Sequence, residues 1–255
     1  MILDDICALS QKRAAQLDPS IRKIAEEMNY VPQNLLNAVK KCQGEKNAVI
    51  AEIKYTTPSD KTLNAGLDPV SLARSYERGG ACAVSVLTEP FYFSGSVENL
   101  TKAKTGTRLP ILRKDFIVDE KQIYETYVLQ ADSVLLIADV LQDRLEEFIL
   151  LSRSLHIEPL VEVRNRKDTE NAVKSGALLT GINNRNLYDM LVDTKTTAEL
   201  SCLLRDAGLT VISESGIKTP EDILGLKKFS DGFLIGTALM KSANPQKTLE
   251  AFVCV

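Results

Sequence analysis

The period of the hydrophobic positions changes along the chain. In ILDDICALSQKRAAQL apolar residues recur at helical spacing (Ile2, Ile6, Leu9), and PSIRKIAEEMN and VPQNLLNAVKKC continue as short helices, with Pro19 and Ser20 as a start signal. From Val49 onward, short apolar runs alternate with amphipathic stretches. VIAEIK is followed by DPVSLARSYERGG, ACAVSVL by SVENLTKAK, LPILRKDF by DEKQIYETYVLQ, and SVLLIA by QDRLEEFILLSRSL. Then EPLVEV precedes KDTENAVKSG, LLTGIN precedes DTKTTAELSCLLRDAG, TVISES precedes TPEDILGLKKF, and DGFLIG precedes a short turn and PQKTLEAFV. Strands alternating with amphipathic helices predict a parallel sheet of the α/β class. Eight such units in about 210 residues favour a closed (β/α)8 TIM barrel, here with an N-terminal helical extension, over an open doubly wound sheet. No Gly/Ser-rich linker interrupts the chain. The expectation is a single domain over 1–255, with 1–47 as the extension and 48–255 as the barrel.

The run VIAEIKYTTPS, residues 49–59, poses the first chemical question. Side chains alternate faces along a strand, so Glu52 and Lys54 point to the same side of an otherwise apolar segment. Burying an unpaired charge is costly, and an internal ion pair would explain this strand by itself. The pattern recurs, however, at the C-terminal strand ends, where barrels of this type carry their active sites. Lys114 is in phase with Leu112, Glu162 with Leu160, Asn183 with Gly181 and Glu214 with Ile212, and Arg185 lies just beyond Asn183. So many charges converging on one mouth exceed what a core needs. Ser215-Gly216 and Gly236-Thr237 follow the seventh and eighth strands, where barrels often bind phosphate, and GTALM has the length and polarity to open a short helix there. Together these features indicate an enzyme acting on a phosphorylated small molecule with Lys and Glu as acid and base, without metal or cofactor.

Composition narrows the alternatives. The chain has 255 residues, 44% hydrophobic and 25% charged, with a net charge of −3, which offers no electrostatic case for nucleic-acid or membrane partners. Five scattered cysteines (Cys7, Cys42, Cys82, Cys202, Cys254) with no C-x-x-C fit reduced thiols and a cytoplasmic location better than a disulfide frame or a zinc site. His156 is the only histidine and reads as a surface or turn residue, which leaves no room for a histidine triad. The opening residues lack a basic-then-apolar leader, and no apolar run reaches the length of a membrane span. No G-x-G-x-x-G or G-x-x-x-x-G-K-[ST] follows the first strand. Nothing in the sequence sets the oligomeric state, and a monomer is the working expectation.

The motifs IAEIKYTTPS, SVLTEPFYFSGS, PILRKDFIVDEKQIYE, VLLIA, LVEV, GINNRNL, SESGI and LIGTALM, in this order, resemble the indole-3-glycerol phosphate synthase family from about residue 49 to the C-terminus. The resemblance implies closure of 1-(2-carboxyphenylamino)-1-deoxyribulose 5-phosphate to indole-3-glycerol phosphate, with loss of carbon dioxide and water, in tryptophan biosynthesis. It casts Lys114 as the general acid at the ribulose carbonyl and Glu162 as the base. Lys54 would meet the substrate carboxylate, with the acid of the dehydration left open between Lys54 and Glu162. Glu52 and Asn183 would orient these groups, and Arg185 would be a charge partner near Lys54. Glu214 is counted with the catalytic set. Ser215, Gly216, Gly236 and Thr237 would cradle the phosphate, closed by Thr57 and Lys54, and Phe93, Phe116 and Pro58 would line an aromatic pocket. The N-terminal helices would cap the mouth at the indole end. Two lysines in one mouth are expected to lower each other's pKa.

Departures from the family are Thr57 and Thr237 at positions usually serine (or glutamate at the second), Asp60-Lys61 after the PS, Gln130 in place of a glycine before Ala131-Asp132, and the absence of tryptophan. Two other readings compete. A phosphoribosylanthranilate isomerase-like barrel would want Cys and Asp at the strand ends, and a non-catalytic phosphosugar-binding barrel would not need both lysines.

Overall fold

The computed structural model describes residues 2–56, 63 and 66–255. Its strands close into one parallel barrel in sequence order, β1 to β8. They are β1 Ala48–Ile53, β2 Ala83–Leu87, β3 Ile111–Lys114, β4 Ser133–Ile137, β5 Leu160–Val163, β6 Leu179–Asn183, β7 Thr210–Glu214 and β8 Gly232–Ile235. Closure pairs Ala51 with both Val84 and Ile235, so no edge strand remains.

The helices before β1 are α1 Ile2–Gln16, α2 Ile21–Glu27 and α3 Leu35–Lys40. Around the barrel follow α4 Pro69–Arg78, α5 Val97–Gly106, α6 Glu120–Val128, α7 Ala138–Leu141, α8 Leu145–Ser154, α9 Arg166–Lys174, α10 Lys195–Asp206, α11 Pro220–Leu226, α12 Thr237–Met240 and α13 Pro245–Cys254. Their starts follow local chemistry. Asp68, Ser96, Asn165 and Asn244 accept N-cap bonds, Pro69 and Pro245 occupy first-turn positions, and Asp119 forms a capping box with Gln122. The helix expected to begin at Gln142 opens with a 3-10 turn and becomes α8 at Leu145, and a short α7 precedes it, set apart by Gln142 at φ 47°.

Strand alternation sorts the core into two shells. On β1, Val49, Ala51 and Ile53 pack outward with Leu72, Tyr76 and Leu249 of the surrounding helices. Ala48 and Ile50 face the barrel axis with Leu112, Leu135, Leu160, Leu179, Ile212 and Leu234. Ile50, Leu112, Leu160 and Ile212, one from each odd-numbered strand, therefore make an apolar layer. Two residues further along the same strands stand Glu52, Lys114, Glu162 and Glu214. The charged mouth is thus the next layer of the same stack.

The extension runs the length of the barrel. At the C-terminal strand ends, Arg13 of α1 donates to both oxygens of Asp115, at 2.6 and 3.1 Å, and the Ser10 hydroxyl donates to the Phe116 carbonyl. α2 lies along α6, and the Tyr30 hydroxyl donates to the Gln130 carbonyl at 2.8 Å. α3 packs Leu35, Leu36 and Val39 near Ala48, Cys82 and Ala83, at the opposite end from the charged layer. The buried stripe of α1 is Leu3, Ile6, Ser10 and Ala14, and Ile2 and Leu9 are only half-buried at its margins.

Gln130, where the resembling family keeps glycine, is exposed and has φ 57° just past the end of α6. A side chain in that left-handed conformation costs roughly 1 kcal/mol. Gln130→Gly is therefore expected to stabilise the fold by about 0.5–1 kcal/mol, read as a higher urea midpoint at unchanged slope. His156 is also exposed in a left-handed turn, at φ 60°.

Candidate active site

The charged layer closes on Lys114, the last residue of β3. Its ammonium lies 2.6 Å from Glu214 Oε2, 3.7 Å from Glu52 Oε2 and 4.0 Å from Glu162 Oε2. The other oxygen of Glu52 holds the Lys54 ammonium at 2.6 Å, so Glu52 stands between the two lysines. Glu52, Glu162 and Glu214 are all buried.

This arrangement corrects the expectation that the lysines depress one another. Burial disfavours the Lys114 ammonium, but Glu214, Glu52 and Glu162 outweigh it and its pKa is raised. Glu52 likewise stays below the usual carboxylate range: burial pushes it up, but Lys54 and Lys114 more than compensate. Glu162 behaves in the opposite way. Burial and then the charge of Glu214 push it up to about 7, although Lys114 and the Asn183 amide pull down. One carboxyl of the mouth thus changes its charge near neutral pH.

Two glycines make room for this cluster. A Cβ at Gly181 on β6 would fall 1.9 Å from Glu214 Oε1, and one at Gly236 would fall 2.3 Å from Glu52 Oε1 and 3.0 Å from Lys54 Cε. Gly236 therefore serves the ion pairs as well as the turn. Glu214 Oε1 is buried and has no hydrogen-bond partner among the described residues.

A cavity of about 480 Å³ opens over the cluster. Glu52, Lys54, Lys114, Asn183 and Arg185 line one side, and Ser215, Gly216, Gly236 and Thr237 line another. Glu162 and Glu214 are not in the cavity wall; they touch the Lys114 ammonium from within the barrel. Asn183, the last residue of β6, accepts from the Arg185 N–H at 2.9 Å. Arg185 lines the same cavity as Lys54, whose counter-charge is Glu52. The Arg185 guanidinium donates to the Met190 carbonyl at 2.9 Å, and burial lowers its pKa while Glu52 raises it.

On the anion side, Ser215 (φ 65°) and Gly216 (φ 87°) are two consecutive left-handed residues that turn the chain sharply just beyond β7. The side chains of Thr194 and Val192 leave no room for a Cβ at Gly216, which would fall 2.8 and 2.9 Å from them. Gly236 caps α12, the short helix that GTALM was expected to open. On the apolar side, Phe93 lines the cavity and stacks on Phe116 with ring centroids 6.1 Å apart. Phe116 itself lies behind the wall. Thr57 and Pro58 fall outside the described residues.

Several contributing residues lie outside the set that strand parity singles out. Asn184 braces the loop after β7: its amide donates to the Ser215 carbonyl at 3.0 Å, and its oxygen accepts from the Thr197 hydroxyl at 2.9 Å. Glu89 accepts from the N–H groups of Phe91, Tyr92 and Phe93 and so shapes the loop that presents Phe93. Leu187, Met190, Val192 and Lys218 also line the cavity. Among the described residues no group of His, Cys, Asp and Glu is arranged to hold a metal ion, and no helix is long and apolar enough to cross a membrane.

Comparison with known proteins agrees with this geometry. A family model described as indole-3-glycerol phosphate synthase matches residues 3–252. The indole-3-glycerol phosphate synthase of Carboxydothermus hydrogenoformans is 41% identical over 263 residues, covering 99% of this chain and all of the relative. That of Aquifex aeolicus is 41% identical over 244 residues, covering 93% of this chain and 94% of the relative. Among solved structures, a thiamine phosphate pyrophosphorylase from Pyrococcus furiosus superposes with a TM-score of 0.62 at 17% identity, covering 86% of this chain and 96% of that one, a likeness of fold alone. The chain belongs to the indole-3-glycerol phosphate synthase family.

Proposed function

We infer that this chain is a carboxy-lyase of tryptophan biosynthesis, which converts 1-(2-carboxyphenylamino)-1-deoxyribulose 5-phosphate to indole-3-glycerol phosphate. The observation that carries the residue assignment is the Lys114 ammonium set among three carboxylates at the floor of a cavity with an anion-binding rim. The rim of Ser215, Gly216, Gly236 and Thr237 holds the phosphate, and Lys54 meets the ring carboxylate. Anchoring both ends brings the anthranilate carbon to the ribulose carbonyl, which lowers the entropic part of the barrier.

Lys114 gives a proton to the carbonyl oxygen as the ring carbon attacks. Its raised pKa keeps it charged before that step and makes it a reluctant donor, so the carboxylates must be offset as charge develops on the substrate. Loss of the ring carboxylate as carbon dioxide returns its electron pair to the ring without a base, and Glu162, at 4.0 Å and titrating near 7, is placed to take up the proton that leaves the nitrogen-bound methylene when water is lost. Loss of the hydroxyl as water then needs an acid, and Lys54 and Glu162 both have access. Glu52 and Asn183 hold the acids in place, and Glu214 anchors Lys114. The chain acts as a monomer in the cytoplasm.

The reading is tested with synthetic substrate and the fluorescence of the indole product. Product should form at nanomolar to micromolar enzyme; bound substrate without product would return the chain to a phosphosugar-binding role. The pH dependence is specific. Glu162 is a carboxylic acid below about 7 and a carboxylate above it, so kcat/KM should rise as pH passes about 7. In Glu162→Gln that limb should vanish and turnover should fall by about 10²-fold or more. A limb that persists in the variant would remove Glu162 from the role of base.

A further inference from the structure

The loop after β6 supplies part of the cavity wall, and one side chain from outside the loop grips its middle. Asn186 lies between Arg185 and Leu187, both of which line the cavity. Asn186 knits the loop together. Its N–H donates to the Leu191 carbonyl and its carbonyl accepts from the Met190 N–H, each at 2.8 Å, and its side-chain oxygen accepts from the Tyr188 N–H at 2.9 Å. The same side-chain oxygen accepts from Arg164 Nη1 at 2.5 Å. Arg164 directly follows β5, two residues past Glu162.

The Arg164 guanidinium also reaches Asp139 of α7 at 3.4 Å and lies 4.9 Å from the centroid of the Tyr188 ring. The Tyr188 hydroxyl donates to Asp139 at 2.8 Å, and the Arg164 N–H donates to Asp168 of α9 at 3.1 Å. The loops after β4, β5 and β6 are thereby joined in one circuit. A rim ion pair alone would contribute little. Here the side chain is 19% exposed, and its planar fork serves an amide oxygen, a carboxylate and a ring face together.

We propose that Arg164 is a positioning residue for the indole-forming reaction inferred for this chain: by gripping Asn186 it sets where Arg185 and Leu187 stand in the cavity wall. Arg164 is not itself in that wall. Its charge has a second effect. Burial and Glu214 push Glu162 up, whereas Lys114, the Asn183 amide and the Arg164 guanidinium pull it down. The anions around the guanidinium are Asp139 and Asp168, with Asp4 of α1 acting on Tyr188. Removing the guanidinium therefore loosens the loop and lets Glu162 rise further.

The test is steady-state kinetics of the full-length chain on synthetic substrate across pH. Arg164→Met should raise KM by about tenfold, the cost of one charge-assisted hydrogen bond, with a smaller change in kcat. The rise of kcat/KM with pH should move to higher pH than in the parent. Arg164→Lys separates the two effects. Its ammonium keeps the charge but cannot engage Asn186, Asp139 and Tyr188 at once, so the pH limb should return to the parent's while KM stays raised. Asn186→Ala should raise KM with the limb unmoved, and Arg164→Met/Asn186→Ala should be no worse in KM than the worse single variant, because both cut one contact. A parent-like KM in Arg164→Met, or KM effects that simply multiply in the double variant, would overturn the proposal. Should Arg164→Met fail to fold, a parent-like KM in Arg164→Lys and Asn186→Ala would overturn it equally. A parent chain that makes no product would instead sink the reaction itself, before any variant is compared.

Discussion

Lys114→Ala is expected to lower turnover by about 10³-fold or more while a phosphate-bearing ligand binds within a few-fold of the parent. The two effects separate because the groups are separate. The ammonium reaches Glu214, Glu52 and Glu162 on three other strands, whereas the anion rim is built from the loops after β7 and β8. Loss of the proton donor alone is worth about 10²–10⁴. A second cost follows, since three buried carboxylates lose their common cation and cannot all stay ionised. Protons will be taken up, and Glu162, already pushed up to about 7 by burial and Glu214, will move further from its working range. Any residual activity should therefore have its optimum at higher pH than the parent. Turnover within tenfold of the parent would remove Lys114 from the acid role.

Much of this site is legible in the sequence, because strand parity is strict. Glu52, Lys114, Glu162 and Glu214 each stand two residues beyond an apolar residue of the inner layer, and a parallel barrel of odd and even strands brings them to one level. What parity cannot give is sign and distance. That the Lys114 pKa rises depends on Glu52 standing between the lysines and on Glu214 at 2.6 Å, neither of which is encoded by spacing. Arg185 illustrates the same limit: the resemblance placed its charge near Lys54, but the contact its guanidinium makes is set by the loop, which folds it onto the Met190 carbonyl. Support residues are silent for another reason. Asn184 and Thr197 act only through contacts made after β6, β7 and α10 are packed. The outward face of β3 shows this too. Arg113 is 1% exposed and bonds Asp115 and Glu125, a buried pairing that links the strand to α6 and, through Asp115, to Arg13 of α1. A lone arginine in PILRKDF gives no hint of it.

Gly181 reads as one more glycine in a strand, yet Gly181→Ala is expected to have the second largest effect. β6 and β7 pair Gly181 with Ile212 and Asn183 with Glu214, so the Glu214 side chain folds back over the glycine. A Cβ there would lie 1.9 Å from Glu214 Oε1 and 2.9 Å from its Cδ. The carboxylate is fully buried, its Oε1 has no hydrogen-bond partner among the described residues, and the new Cβ would take the place Oε1 occupies. Either Glu214 swings off Lys114 or the strand shifts. Overpacking of this kind costs about 1–3 kcal/mol of stability. Released from its 2.6 Å contact, the ammonium is misplaced against the carbonyl, and turnover should fall by about 10²-fold with ligand affinity retained. Shortening the acid distinguishes the two routes. In Gly181→Ala/Glu214→Asp the carboxylate withdraws from the new methyl group, so the double variant should be more active than Gly181→Ala alone. If it is no better, the strand has moved; if Gly181→Ala itself turns over like the parent, Glu214 does not hold Lys114 in place.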